Sequence, residues 1–209
     1  MASTVLLLAS GSPRRRELLD QIGVAHEAFA VGVDEQPHAG EAPHAMVERL
    51  ARAKAAAGRE AVAGERVVLG ADTTVVLDGV ALGKPGDAAA ADAMLARLSG
   101  RSHQVVSGVA VAAGGEIASR CVTTEVAFRE LAPAERAAYC ASGEPLDKAG
   151  GYAIQGLGAV FVRHIAGSYS NVVGLPLYDT ARLLAAAGID PLATPTGDGA
   201  PRDKADSPL

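Results

Sequence analysis

Tryptophan is absent from this 209-residue chain, and aromatic residues make up 3% of it. So sparse a supply cannot build the stacking platforms that hold single-stranded nucleic acid. Positive charge is not in surplus: 19 Lys and Arg stand against 24 Asp and Glu, a formal net charge of -5. No general basic field draws DNA or RNA, so any phosphate binding must come from local clusters. Cysteine is nearly missing. Cys121 and Cys140 form no CxxC pair and have no nearby His to activate them, so both read as reduced, buried thiols. The five histidines, His26, His38, His44, His103 and His164, lack the spacing of a zinc site. No apolar run is long enough for a membrane span. The chain enters a strand at once, without a basic leader or cleavage signal, which points to a cytoplasmic protein. A Walker-type phosphate loop is missing too. Gly79 and Gly83 have three residues between them rather than four, and Pro85 follows Lys84 where Ser or Thr is required.

Hydrophobic residues are 49% of the chain and charged residues 21%, ordinary for a globular protein. Alanine supplies much of the apolar content, which favours helices with small faces. Strand and helix signals alternate, an α/β pattern. Strands are expected over residues 5–9, 26–32, 67–71, 74–77, 104–113, 117–128, 152–155 and 159–165. A first helix follows Ser12 as N-cap and Pro13 as first residue, and stops at Gly23. Further helices are expected over 43–63, 88–98, 133–142 and 177–187. Gly114-Gly115 marks a hairpin turn. From Asp190 the chain turns to Pro, Gly, Asp and Lys, with little to bury. The expected organisation is one domain over 1–189, of two interwoven lobes, and a disordered tail over 190–209.

Several residues stand out for their chemistry. In Ser10-Gly11-Ser12-Pro13-Arg14-Arg15-Arg16, three cations fall in the first turn of a helix, the end that already carries partial positive charge. Free N–H groups, small residues and guanidiniums at one spot suit a polyanion such as a triphosphate. A solvated basic turn is the plainer reading. Asp72 interrupts an apolar run, which is costly unless the carboxylate is paired or faces a cleft at a strand end. There it could hold Mg²⁺ or act as a general base; otherwise it is a turn residue between two strands. Lys54 shares a helical stripe with Val47 and Leu50, so it either snorkels or reaches an anion. Lys84 can serve as a point charge on phosphate. Glu35 is a candidate second acid or a loop acid. The amide of Gln155 carries a donor and an acceptor, a match for N3–H and a carbonyl of uracil or thymine, or it is a surface Gln in a capped turn.

In chain order, Ala9-Ser10-Gly11-Ser12-Pro13-Arg14-Arg15, Gly70-Ala71-Asp72-Thr73, Gly83-Lys84-Pro85, Leu98-Ser99-Gly100-Arg101-Ser102-His103, Gly143 to Tyr152, Ile154-Gln155-Gly156 and Val173-Gly174-Leu175-Pro176-Leu177 resemble the Maf family of nucleoside triphosphate pyrophosphatases. Asp147-Lys148-Ala149-Gly150-Gly151-Tyr152 and Ile154-Gln155-Gly156 are similar to the branch that prefers dTTP and UTP. The resemblance implies an α/β fold of the Maf and inosine triphosphatase kind, a twisted mixed sheet with flanking helices forming two lobes around a deep cleft. It also implies Asp72 as proton acceptor, and Arg14, Thr73 and Gln155 as residues that set base preference. Ser10, Arg15, Glu35, Lys54 and Lys84 would line the phosphate and metal cleft, with Mg²⁺ or Mn²⁺ held by Glu35 and Asp72. The implied partners are a nucleoside triphosphate and a second copy of the chain, with neither nucleic acid nor membrane. A link to inhibition of septum formation is carried by the resemblance as well. Two other readings stay open: a nucleotide-binding regulator whose catalysis is incidental, and a pyrophosphatase for non-standard purine nucleotides. Ala153 stands where the family pattern expects Gly, and Arg16 extends the basic pair.

Overall fold

Apolar Leu6–Ala9 forms β1, every residue of it buried. Pro13–Gln21 forms α1, with its proline in the first turn, and Gly23 ends the turn at φ 70°. Ser12 makes no side-chain cap; instead the Ser10 hydroxyl accepts the Ser12 N–H at 3.2 Å. There follow β2 (His26–Phe29), shorter than the expected 26–32, then α2 (Pro43–Glu60), β3 (Val68–Leu77), β4 (Val80–Leu82), α3 (Ala88–Leu98), β5 (Ser102–Ala113) and β6 (Glu116–Phe128). The chain continues through α4 (Pro133–Ala141), β7 (Val162–Ala166), α5 (Tyr169–Val173) and α6 (Leu177–Ala186). Between α4 and β7 it makes three 3-10 turns, Glu144–Asp147, Ala149–Gly151 and Leu157–Phe161. The computed structural model describes residues 5–192, so most of the expected tail, from residue 193, lies outside the described residues. Among the described residues no helix is long and apolar enough to cross a membrane.

The seven strands form one mixed sheet in the order β2-β1-β3-β5-β6-β7, with β4 also paired to β3. β1 runs parallel to β2 and β3, and the other pairs are antiparallel. The α/β expectation and the Gly114-Gly115 hairpin agree with this architecture. The expected break at Asp72 does not. Residues 67–71 and 74–77 belong to one continuous strand, and Asp72 sits in its middle, opposite Gly108 of β5. It is neither a turn residue nor at a strand end. The open place is lateral instead. β1 pairs with β3 only as far as Leu69, and β4 begins pairing at Val75, both on the edge away from β5. Residues 70–74 therefore have a neighbour on one side only. The Leu7 N–H donates to the Val67 carbonyl, so strand alternation turns the peptide groups of Ala71 and Thr73 into that gap.

Alternation also separates the faces of β3. Leu69, Ala71, Val75 and Leu77 join the main core with residues of α1, α3, α4 and α6. Val68 and Val76 face α2, where they pack with Ala51, Ala55, Val47 and Leu50. Gly70 and Gly108 lie on this second face and let α2 come down onto the sheet. A Cβ on Gly70 would stand 2.3 Å from the Ala51 carbonyl oxygen, and one on Gly108 would stand 2.2 Å from that of Val47. That close approach carries Lys54 of α2 over Asp72.

Four of the seven aromatic residues gather in one place. Phe128 packs edge-on against His103, Tyr152 and Phe161, and Tyr139 against Phe161, with centroids 4.8–6.0 Å apart. The segment 152–155 does not form the expected strand, since Gly150 and Gly151 adopt φ of 70° and 71° and the chain turns instead. Residues 157–161 likewise wind into a 3-10 turn before β7 begins at Val162. Cys140 is buried as expected, but Cys121 is exposed, because it sits on a β6 face that α2 covers only in part.

His103 is 3% exposed and bonds the Tyr152 hydroxyl through Nε2 at 2.8 Å, while its Nδ1 is buried without a partner among the described residues. Burial pulls its pKa down from 6.5 to about 4. The unfolded chain thus binds the extra proton first. The stability contributed by the neutral ring is full above pH 6.5 and is lost as pH falls toward 4, by up to about 3 kcal/mol. Thermal melts should show the midpoint dropping across that window, and the slope should flatten in His103→Gln.

Candidate active site

At the gap along β3 opens a cavity of about 640 Å³, a size suited to a small organic ligand. Its wall takes Ser10 from the end of β1, Arg14 and Arg15 from α1, Lys54 from α2 and Asp72 and Thr73 from β3. Glu35 from the loop after β2, Lys84 from the segment after β4 and Gln155 from the turn before the last 3-10 segment complete it. The nine residues that the resemblance assigns to the site therefore all line one hollow, although they come from separate stretches of chain, while Arg16 of the same basic run does not.

On the α2 face, the Lys54 ammonium lies 2.6 Å from Glu35 Oε1 and 2.8 Å from Asp72 Oδ1. Lys54 is 8% exposed. Its stem does not snorkel to solvent; it points into the cavity between two carboxylates. Burying the Lys54 ammonium is tolerable because two carboxylates offset its charge, that of Asp72 partly buried and that of Glu35 exposed at the cavity mouth. The Lys54 hydrogen bond, with the charges of Lys54, Lys84 and Arg15, holds the Glu35 carboxyl below its ordinary range against the opposing effect of partial burial. Glu35 thus stays ionised well into mild acid. The convergence of two carboxylates on one cation also fits a hard divalent ion, which takes one or two carboxylates and completes its shell with phosphate oxygens and water. Among the described residues no third His, Cys, Asp or Glu joins them.

Across the strand edge, Arg15 is held by the Gly174 carbonyl at Nε (2.9 Å), the Ser10 hydroxyl at Nη1 (3.1 Å) and the Thr73 hydroxyl at Nη2 (3.3 Å). Burial pushes its guanidinium below the ordinary value, with the negative charge of Asp72 opposing; an arginine still keeps its charge at neutral pH. The cation is fixed by neutral groups, not by an acid, so its charge remains available to an anion. Arg14 lies 3.9 Å from the exposed Asp147, a long pair worth little in water. Arg16 is exposed.

Several supporting residues gave little signal in sequence. Gly70 and Gly108 interrupt β-branched strands, a hint of close backbone approach. Glu144, in the first of the three 3-10 turns, holds a carboxylate that accepts the N–H groups of Leu157 (2.9 Å) and Gly158 (3.1 Å) and the Tyr139 hydroxyl (2.8 Å). It thereby anchors the turn that carries Gln155. Ser107, Asn171 and Tyr152 had no assigned role. Tyr152 lines the cavity and is braced from behind by His103.

A family model described as "Maf-like protein" matches residues 5–187. Among curated proteins, a dTTP/UTP pyrophosphatase of Bordetella pertussis is 52% identical over 192 residues, covering 88% of this chain and 93% of that one. A dTTP/UTP pyrophosphatase of Escherichia coli O157:H7 is 54% identical over 181 residues, covering 87% and 92%. Among solved structures, the Ham1 protein of Staphylococcus aureus gives a TM-score of 0.44 at 16% identity, covering 59% of this chain and 71% of that one.

Proposed function

The chain belongs to the Maf-like protein family, and from that membership we propose that it hydrolyses nucleoside triphosphates, dTTP and UTP foremost. The bond cut is the one between the α- and β-phosphates, and the products are a nucleoside monophosphate and pyrophosphate. One observation carries this reading: the Lys54 ammonium sits between Glu35 and Asp72, in the same cavity as Arg14, Arg15 and Lys84. A site with four cations and two convergent carboxylates suits a polyanion that must be bound and then attacked by water.

In this reading Arg14, Arg15, Lys54 and Lys84 hold the triphosphate and offset the charge that grows on the pyrophosphate leaving group. Asp72 accepts the proton of the attacking water. The water oxygen bonds to the α-phosphorus, the bridging bond to the β-phosphate breaks, and its electron pair leaves with pyrophosphate. Glu35 and Asp72 are the residues that would hold Mg²⁺ or Mn²⁺, which when bound polarises phosphate oxygens and lowers the cost of forming the nucleophile. Ser10 keeps Arg15 in place, and Thr73, Gln155 and Arg14 read the base. The Gln155 amide suits the N3–H and carbonyl edge of uracil and thymine.

Two finer expectations belong to the same proposal. A cytoplasmic location suits an enzyme of the free nucleotide pool, and a homodimer is tested by light scattering in solution. The reading itself is tested by pyrophosphate release from dTTP, UTP, CTP, ITP, GTP and 7-methyl-GTP with Mg²⁺ present. The expected result is kcat/KM for dTTP and UTP at least about tenfold above the rest, the order of one or two hydrogen bonds of discrimination. Preference for ITP would point instead to non-standard purines, and no release from any of them would remove the enzymatic reading.

A further inference from the structure

Glu35 reaches the cavity from a long loop, residues 30–42, that forms no helix or strand. Its side chain is 61% exposed, and its grip on Lys54 is one contact at the cavity mouth. An ion pair with one partner in water is worth little by itself, while each loop residue that is fixed costs conformational entropy. Another contact must hold this carboxylate in place.

That hold comes from Arg49, on the same helix as Lys54. Arg49 Nε donates to Glu41 Oε1 at 2.6 Å and Nη2 donates to Glu41 Oε2 at 2.7 Å, and the Glu41 side chain is 9% exposed. A forked guanidinium–carboxylate pair is stronger and more directional than a point-charge contact. Nη2 also donates, at 3.2 Å, to the carbonyl of Gln36, the residue next to Glu35. The loop is tied to itself on both sides of this point. The Gln36 N–H donates to Asp34 Oδ1 at 3.0 Å. The His38 N–H donates to Glu41 Oε2 at 3.0 Å, and the Glu41 N–H returns to the His38 carbonyl. Neither Arg49 nor Glu41 lines the cavity. The helix that carries Arg49 is itself set close upon the sheet at Gly70 and Gly108. One element thus places Lys54 over Asp72 and, through Arg49, holds the loop that brings Glu35 to the same ammonium.

We infer that Arg49 and Glu41 are positioning residues for Glu35: their clasp fixes the loop to α2, so that the Glu35 carboxylate stands across Lys54 from Asp72. This rests on the triphosphate reading above, in which Glu35 serves the divalent ion, and deepens it by naming what keeps the second carboxylate at the site. Loss of the clasp leaves Asp72 and the cations where they are and sets Glu35 adrift.

Two measurements test it on the wild-type protein, Arg49→Met, Glu35→Gln and the double variant. The first is pyrophosphate release from dTTP as Mg²⁺ is varied. Arg49→Met is expected to raise the Mg²⁺ concentration for half-maximal rate by about tenfold, the usual effect of losing a group that orients a metal-binding side chain. KM for dTTP at saturating Mg²⁺ should stay within about twofold. In the Glu35→Gln background the same substitution should add almost nothing, because the group it positions is gone. Arg49→Lys keeps the charge without the fork and should recover part of the loss. The second measurement is amide hydrogen exchange of the free protein without metal. Arg49→Met should speed exchange at residues 33–41 and leave β3 unchanged. Should Arg49→Met not fold, Glu41→Gln loosens the clasp from its other side and should move both readouts the same way. A full further loss in the double variant, faster exchange throughout α2 and β3, or an unaltered Mg²⁺ requirement would overturn the inference. A wild-type Mg²⁺ requirement in Glu35→Gln would instead count against the role given to Glu35 in the triphosphate reading, and exchange at 33–41 would still decide whether the clasp holds the loop.

Discussion

Asp72→Asn is expected to lower kcat for dTTP by about a thousandfold, within the range for loss of a general base, while the nucleotide still binds. The substitution preserves size, and the amide oxygen can still accept from Lys54, now 2.8 Å away. What disappears is the capacity to take a proton and one negative charge in a cavity built for polyanions. Affinity for the triphosphate in the absence of turnover should hold or rise, because one repulsive charge is gone. Titration calorimetry with dTTP, set beside the rate of pyrophosphate release, separates the two. Lost binding together with lost turnover would mean that Asp72 organises the site, and wild-type turnover would remove its assigned role.

Gly70→Ala is expected to damage stability and turnover together, although residue 70 does not line the cavity. The new Cβ would fall 2.3 Å from the Ala51 carbonyl oxygen and 2.5 Å from the Ala55 nitrogen. Both are backbone atoms of α2, so no side-chain rotation relieves the clash, and the helix must lift. Overpacking of this kind costs about 3 kcal/mol, which lowers the melting midpoint by about 10 °C for a chain of this size. Because Lys54 rides on α2, lifting the helix draws the ammonium away from Asp72. Turnover should therefore fall at temperatures where the variant is still fully folded. A lowered midpoint with unaltered turnover would show that the pairing of Lys54 and Asp72 tolerates a displaced helix.

How much of this could be read from the sequence depended on how local each signal was. The β1–α1 unit was legible because an apolar tetrad, Pro13 and Gly23 announce it in order. The hairpin of β5 and β6 was legible from Gly114-Gly115. Lys54 gave itself away as a cation on an apolar helical stripe. The continuity of β3 was hidden, because a carboxylate in mid-strand looks like a break until its partner is known, and that partner is 18 residues away. The open edge between β1 and β4 could not be seen at all, since it depends on which strands pair and where pairing stops. Ser107 was silent for the same reason: a serine in a strand says nothing until the carbonyl of Asn171 arrives from 64 residues later. Glu144 carries no separate signal in the sequence, because it is an anchor only through the N–H groups that Leu157 and Gly158 bring to it from more than ten residues later.

The account turns on a water molecule being delivered to the α-phosphorus by Asp72 within a cage of cations. Its most direct check is phosphorus NMR of dTTP incubated with Mg²⁺ and either the wild-type protein or Asp72→Asn. The wild-type spectrum should show dTMP and pyrophosphate growing in equal amounts, and the variant spectrum should show dTTP persisting. Appearance of dTDP and orthophosphate, or equal consumption by both proteins, would contradict it.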